Sequence, residues 1–72
     1  MKLGQRIASM RGYRLMTQDD LGALVGVTKQ TISGWERGRR FPSADDLVKL
    51  CGVLNCSADY LLGLSDEMGE HR

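Results

Sequence analysis

The stretch TQDDLGALVGVTKQTISGWE, residues 17–36, decides the fold. It reads as two short helices with punctuation at each end. Thr17 is a good N-cap, and Asp20, three residues later, completes a variant capping box. Leu21, Leu24 and Val25 form the apolar side of the first helix, and Gly26 is a natural left-handed residue to end it. Thr28 caps the second helix, which the pattern carries to Gly38. Only Gly26 and Val27 join the two. So short a link does not let the axes run back antiparallel; it suits helices that cross steeply. Crossing helices must approach closely, and Gly22 supplies a small residue for the contact. Ile32 is then placed to pack on Leu21 and Val25.

The second of these helices has an unusual exposed face. At about 100° per residue, Ile32 and Trp35 share one apolar stripe, with Thr28 near it. This alignment assigns Trp35 to core packing rather than to stacking on a base. The opposite side carries Gln30, Ser33, Gly34 and Arg37. A helix that only had to remain soluble would place Glu, Lys or Ala there. Glycine in an exposed helix interior costs about 1 kcal/mol against alanine.

Working outward, Leu3, Ile7 and Met10 recur at helical spacing, and Gly12 offers a stop. Ser43, after the single proline Pro42, starts a fourth helix with Leu47, Leu50, Val53 and Leu54 inside. Ser57 starts a fifth with Tyr60, Leu61 and Leu62, while Tyr13 and Phe41 read as core or loop-packing residues. Acids cluster in first turns (Asp19, Asp20, Asp45, Asp46, Asp59), where the helix dipole favours them. No run of alternating β-branched residues predicts a strand. The expected architecture is all-α: five short helices in one domain over residues 1–66, with a polar, frayed tail over 67–72.

Composition bounds the function. A chain of 72 residues buries one small core. It has no apolar run near the roughly 18 residues of a membrane span, and its N-terminus lacks the apolar segment of a signal peptide. A cytoplasmic setting is expected. Cys51 and Cys56 stand apart from any metal-ligand spacing and read as small apolar residues or free thiols. The one histidine, His71, is in the tail, the paired aspartates read as capping charges, and no nucleophile–base arrangement can be drawn. Neither an enzyme nor a cofactor, metal or small-molecule ligand is expected. The net charge of +1 conceals a polarised chain: residues 1–40 hold eight Lys/Arg against three acids, and residues 41–72 hold two against six. Such polarity suits a phosphate partner.

The run TQDDLGALVGVTKQTISGWERGRRFPSADDLVKL resembles the Cro/C1-type helix-turn-helix family of phage repressors and small bacterial regulators. LGQRIASMRGYRLMTQ is similar to that family's first helix and lead-in, and LNCSADYLLGLSD to its closing segment, so the resemblance covers residues 3 to about 66. It implies a lambda-repressor-like domain whose third helix lies in the DNA major groove. Base contacts then fall to Lys29, Gln30, Ser33 and Thr28: Gln30 matches adenine N6/N7, and Lys29 matches guanine O6/N7 or, at the edge of the face, a phosphate. The family often has a longer polar residue where this chain has Gly34. Phosphate contacts fall to Thr17, Gln18, Arg11, Arg37, Arg39 and Arg40, and Arg11 and Glu36 match the family's structural pair. The resemblance also implies a transcriptional regulator, most readily a repressor, binding a near-palindromic double-stranded operator as a homodimer. Helix five and the segment after it, with Leu61, Leu62 and Leu64, are the expected dimer surface. An antitoxin that also binds a protein toxin, and a helix-turn-helix used only for protein contact, are the other readings. The sequence suits a short regulator and the DNA-binding part of a longer one equally.

Overall fold

The computed structural model describes residues 1–70 of the chain. Its elements are α1 (Leu3–Tyr13), α2 (Gln18–Val25), α3 (Lys29–Glu36), α4 (Ala44–Leu54) and α5 (Ala58–Leu62), with no strand among the described residues. Four hydroxyls start four of these helices. Thr17 Oγ1 accepts from the Asp20 amide at 3.0 Å, Thr28 Oγ1 from Thr31 at 3.2 Å, Ser43 Oγ from Asp46 at 3.1 Å and Ser57 Oγ from Tyr60 at 3.0 Å. Each bond satisfies an amide that the helix leaves without a partner. At Thr17 the box is complete, because its amide donates back to Asp20 Oδ2 at 2.9 Å. The Thr17 amide first, and then the Thr17 hydroxyl, hold the Asp20 carboxyl below the usual carboxylate range.

The helix ends depart from the sequence reading at two places. Gly12 does not stop α1; the helix runs through it to Tyr13. The chain turns instead at Leu15, whose φ of 59° is rare for a branched side chain. The turn is closed by Met16 N donating to the Arg11 carbonyl and by Arg11 Nη1 donating to the Met16 carbonyl. Helix α3 stops at Glu36, not Gly38. Residues 37–40 fold back, so that the Arg39 and Arg40 amides both donate to the Gly34 carbonyl.

All the helices contribute to one core, in which Ile7, Met10, Leu21, Val25, Ile32, Trp35, Leu50, Leu54 and Leu61 are buried. Leu24 is not part of it: 60% exposed, it lies off the line of Leu21, Gly22 and Val25 by which α2 meets α3 and α4. Tyr13 and Phe41 are likewise exposed rather than packed inside, and the Tyr13 ring takes the Arg14 guanidinium at 5.0 Å. Leu61 belongs to the core and is unavailable to a partner, whereas Leu64 is exposed and Leu62 half-buried. Cys51 and Cys56 are buried free thiols; burial pushes the Cys56 thiol up to about 11, which keeps it protonated and unreactive.

Two helix crossings are so close that backbone meets backbone. A Cβ on Gly22 would stand 2.7 Å from the Val27 carbonyl oxygen, which is the contact expected of a helix-turn-helix. A Cβ on Gly4 would stand 2.5 Å from the Trp35 carbonyl oxygen and 2.6 Å from that of Glu36. Half a turn from Gly4, Arg6 ties α1 to the closing segment. Its Nη1 donates to the carbonyls of Tyr60 and Ser65, its Nη2 to Asp66, and its guanidinium lies 4.1 Å from the Tyr60 ring centroid. Further along, the Met68 carbonyl accepts from the Ser57 amide at 2.8 Å. His71 and Arg72, the end of the tail, lie outside the described residues.

Two glycines of α1 therefore respond oppositely to one added methyl. Gly4→Ala forces a side-chain carbon into two carbonyl oxygens and is expected to destabilise the fold by about 1–3 kcal/mol, outweighing the helix propensity gained. Gly12→Ala meets nothing within 4 Å and should stabilise by up to about 1 kcal/mol. Thermal unfolding of both variants checks this, and an unchanged or raised midpoint for Gly4→Ala contradicts the close crossing.

Candidate nucleic-acid interface

With Ile32 and Trp35 turned into the core, the other side of α3 faces outward. A groove of about 510 Å³ lies along it, walled by Gln18, Thr28, Lys29, Gln30, Ser33, Gly34, Arg37, Arg39 and Arg40. Nine residues singled out in the sequence thus line one concave surface. Four of them are cations (Lys29, Arg37, Arg39 and Arg40), and among the described residues no acid lines it. Lys29 and Gln30 are exposed in the first turn of α3, and Ser33 is half-buried one turn on. The sequence reading did not select Thr31, which also lines the groove. The helical wheel carried the signal, because Thr31 lies only about 60° from Gly34 at 100° per residue. Thr28 is less free than its exposure suggests. Its hydroxyl accepts from the Thr31 amide and shares a 3.1 Å hydrogen bond with the Thr31 hydroxyl, which leaves its methyl group as the free contact.

Thr17 and Arg11 do not line this groove. Thr17 is spent on the α2 capping box, at the helix end next to Gln18. Arg11 belongs to a network at the junction of three helices. Its Nε donates to Glu36 Oε2 at 2.7 Å, its Nη2 to Glu36 Oε1 at 3.1 Å, and its Nη1 to the Met16 carbonyl at 2.9 Å. Gln18 Nε2 donates to Glu36 Oε1 at 3.1 Å. The Glu36 side chain is only 8% exposed and that of Arg11 22%. The hydrogen bond to Glu36 is the main cause that raises the Arg11 pKa, so the cation is secure at any physiological pH. One hydrogen remains on each Arg11 Nη, and Gln18 keeps a second N–H and its carbonyl oxygen. Both side chains are therefore held in place with donors to spare. Glu36, bonded to groove-lining Gln18, is neutralised where it sits.

The arrangement has the parts of a duplex-binding surface. It offers a helix with short polar side chains on its outward face, cations at its end, and the N-terminus of α2 beside it. Such a helix fits a major groove about 12 Å wide, and free first-turn amides suit phosphate oxygens.

Comparison with known proteins agrees with this geometry. The helix-turn-helix family profile matches residues 7–61. The repressor protein C2 of Salmonella phage P22 is 42% identical over 60 residues, covering 83% of this chain and 28% of that protein. The HTH-type transcriptional regulator ImmR of Bacillus subtilis is 36% identical over 70 residues, covering 97% of this chain and 54% of the regulator. The chain thus spans between about a quarter and just over half of these relatives' length. Among solved structures, the P22 c2 repressor in complex with a synthetic operator superposes with a TM-score of 0.79 at 41% identity, covering 82% of this chain and 89% of that one.

The junction network makes a prediction about stability. Glu36→Ala strands the Arg11 guanidinium and releases Gln18, and should lower stability by about 3 kcal/mol, on the order of 10 °C or more in the midpoint. Adding Arg11→Ala should recover part of that loss. Chemical denaturation of the two single variants and the double variant checks the coupling, and strictly additive losses contradict it.

Proposed function

The chain belongs to the helix-turn-helix family, and from that premise we propose that it is a sequence-specific double-stranded DNA-binding regulator that represses transcription from a near-palindromic operator. One observation carries the reading: the outward face of α3 gathers base-matching side chains and four cations in a single groove. The operator complex of the P22 c2 repressor, whose fold this chain shares, supports it.

In this reading α3 enters the major groove. Gln30 pairs bidentately with an adenine, Lys29 takes a guanine edge or the adjoining phosphate, Ser33 donates or accepts, and the Thr28 methyl meets a thymine methyl. Gln18 and Thr17 place the N-terminus of α2 on the backbone of the duplex, and Arg37 and Arg39 hold phosphates beyond α3. Arg11 contributes its remaining Nη hydrogens from behind. Residues 1–66 form the binding unit. A single unit touches few base pairs, so two copies act as a homodimer on half-sites about 34 Å apart. Leu64 and Leu62, in the chain's closing segment, supply apolar surface for that pairing. The site of action is the cytoplasm, where a bacterial or phage operator lies. No helix among the described residues is long and apolar enough to cross a membrane. Binding alone accounts for the activity, and no catalysis or cofactor enters it.

Selection of binding sites from a random duplex pool at two salt concentrations tests the proposal. A two-fold symmetric motif with fixed half-site spacing is the expected result. Weak, salt-sensitive binding without a motif would contradict it and direct attention to a protein partner. On the selected site, Gln30→Ala should cost about 1–3 kcal/mol and relax one base-pair position per half-site. Arg39→Ala should weaken all sequences alike and reduce the salt slope by about 1. Equal losses on selected and random DNA would remove Gln30 from the base readers.

A further inference from the structure

Gly34 is out of place on α3. It sits in the middle of an eight-residue helix, on the outward face, where glycine is the poorest helix former short of proline. Its φ is not positive, so no backbone conformation demands it. Neither does helix packing: the nearest atoms a Cβ there would meet belong to no other helix, in contrast to Gly4. What it would touch is Arg40. The Arg40 Cδ, Cγ and Cβ lie 3.3, 3.4 and 3.6 Å from the position of that absent Cβ. The aliphatic stem of Arg40 therefore lies across α3 in the notch that Gly34 leaves open.

The backbone holds it there. Gly38, with φ of 74°, turns the chain after α3, and the returning Arg39 and Arg40 amides donate to the Gly34 carbonyl at 2.9 and 3.3 Å. Arg40 thus starts from the returning loop, but its stem lies over Gly34, which falls between Gln30 and Arg37 along the outward face of α3. A side chain that reaches phosphate from a flexible loop needs no such seat. A guanidinium that must meet a flat base edge at one angle gains from a stem already laid along the helix, because less rotamer freedom is lost on binding.

We propose that Arg40, seated in the Gly34 notch, is a base-reading and specificity-determining residue, directed at guanine O6/N7 in the major groove, and that Gly34 is its positioning residue. The inference rests on the operator-binding reading above and reassigns Arg40, which the sequence alone places on a phosphate. It accounts for glycine where the family often has a longer polar side chain: the side chain that fills the space comes from six residues further along.

Site selection repeated with variants tests this directly. The wild-type motif should contain a guanine in each half-site whose replacement weakens binding by about 5- to 100-fold. Arg40→Ala should lose that preference and keep the others. Arg40→Lys keeps the charge but not the planar fork, and should recover salt-dependent affinity while recovering the guanine preference only in part. Gly34→Leu fills the notch and should abolish the same preference without lowering the thermal midpoint, since leucine is the better helix former. Combining it with Arg40→Ala should change nothing further at that position. Arg40 is exposed, so its variants fold whatever Gly34→Leu does. If Arg40→Ala weakens every sequence alike and Arg40→Lys restores binding fully, Arg40 is a phosphate contact; the inference falls while the operator-binding reading stands. A wild-type chain that selects no motif overturns both.

Discussion

The carboxylate of Glu36, at the last residue of α3, accepts three hydrogen bonds from two other helices: two from Arg11 of α1 and one from Gln18 of α2. A carboxylate this buried is tolerated only when its lone pairs are met and its charge is balanced, and Arg11 does both. The consequence is geometric. The C-terminal end of α3 is fastened to α1 by this bond set and by the Gly4 crossing, where α1 lies directly on the Trp35 and Glu36 carbonyls. Its N-terminal end is fastened to α2 by the short link and the Gly22–Val27 contact. A short helix held at both ends cannot roll. Ile32 and Trp35 stay inside, and the polar face stays outside. Side chains on that face meet a ligand from fixed positions, so less ordering accompanies binding.

The same network shapes the electrostatics. A net charge of +1 over 72 residues would give little attraction for a polyanion if it were spread evenly. It is not. Glu36 is neutralised by Arg11, and the acids of α4 and α5 sit in their own first turns. Asp66 is paired with Arg6 and faces Lys2 at 3.9 Å. Lys29, Arg37, Arg39 and Arg40 are left along the α3 groove. Capping and ion pairing, which look like matters of stability alone, also sort charge across the surface.

Much of the fold was legible because its punctuation is local chemistry. A hydroxyl that caps, an acid in a first turn and a glycine at a left-handed helix end act over three or four residues, so Thr17, Thr28, Ser43, Ser57 and Gly26 can be read directly. Gly22 was legible because the two-residue link forces a crossing nearby. Gly4 was not. Its reason is a backbone some thirty residues away, and in sequence it is one more glycine in a helix. Gly12 misled for the converse reason: it resembles a stop, but the Arg11–Met16 bonds carry the turn at Leu15. Leu24 was assigned to the apolar side of its helix, and Tyr13 and Phe41 to core or loop packing, on apolarity; all three are exposed. The groove residues of α3 followed from the wheel. The anchoring of Gln18 and the seat of Arg40 depend on side chains meeting across elements, which no spacing rule encodes.

The central claim is that the face of α3 held outward by the Glu36 junction is the face that meets base edges. Intermolecular nuclear Overhauser contacts between the chain and a duplex carrying its selected site test this most directly. Cross-peaks from the Thr28 methyl and the Gln30 and Ser33 side chains to major-groove base protons, with none from exposed Val48 of α4, are the predicted result. Contacts confined to sugar protons, or arising from α4, would contradict it.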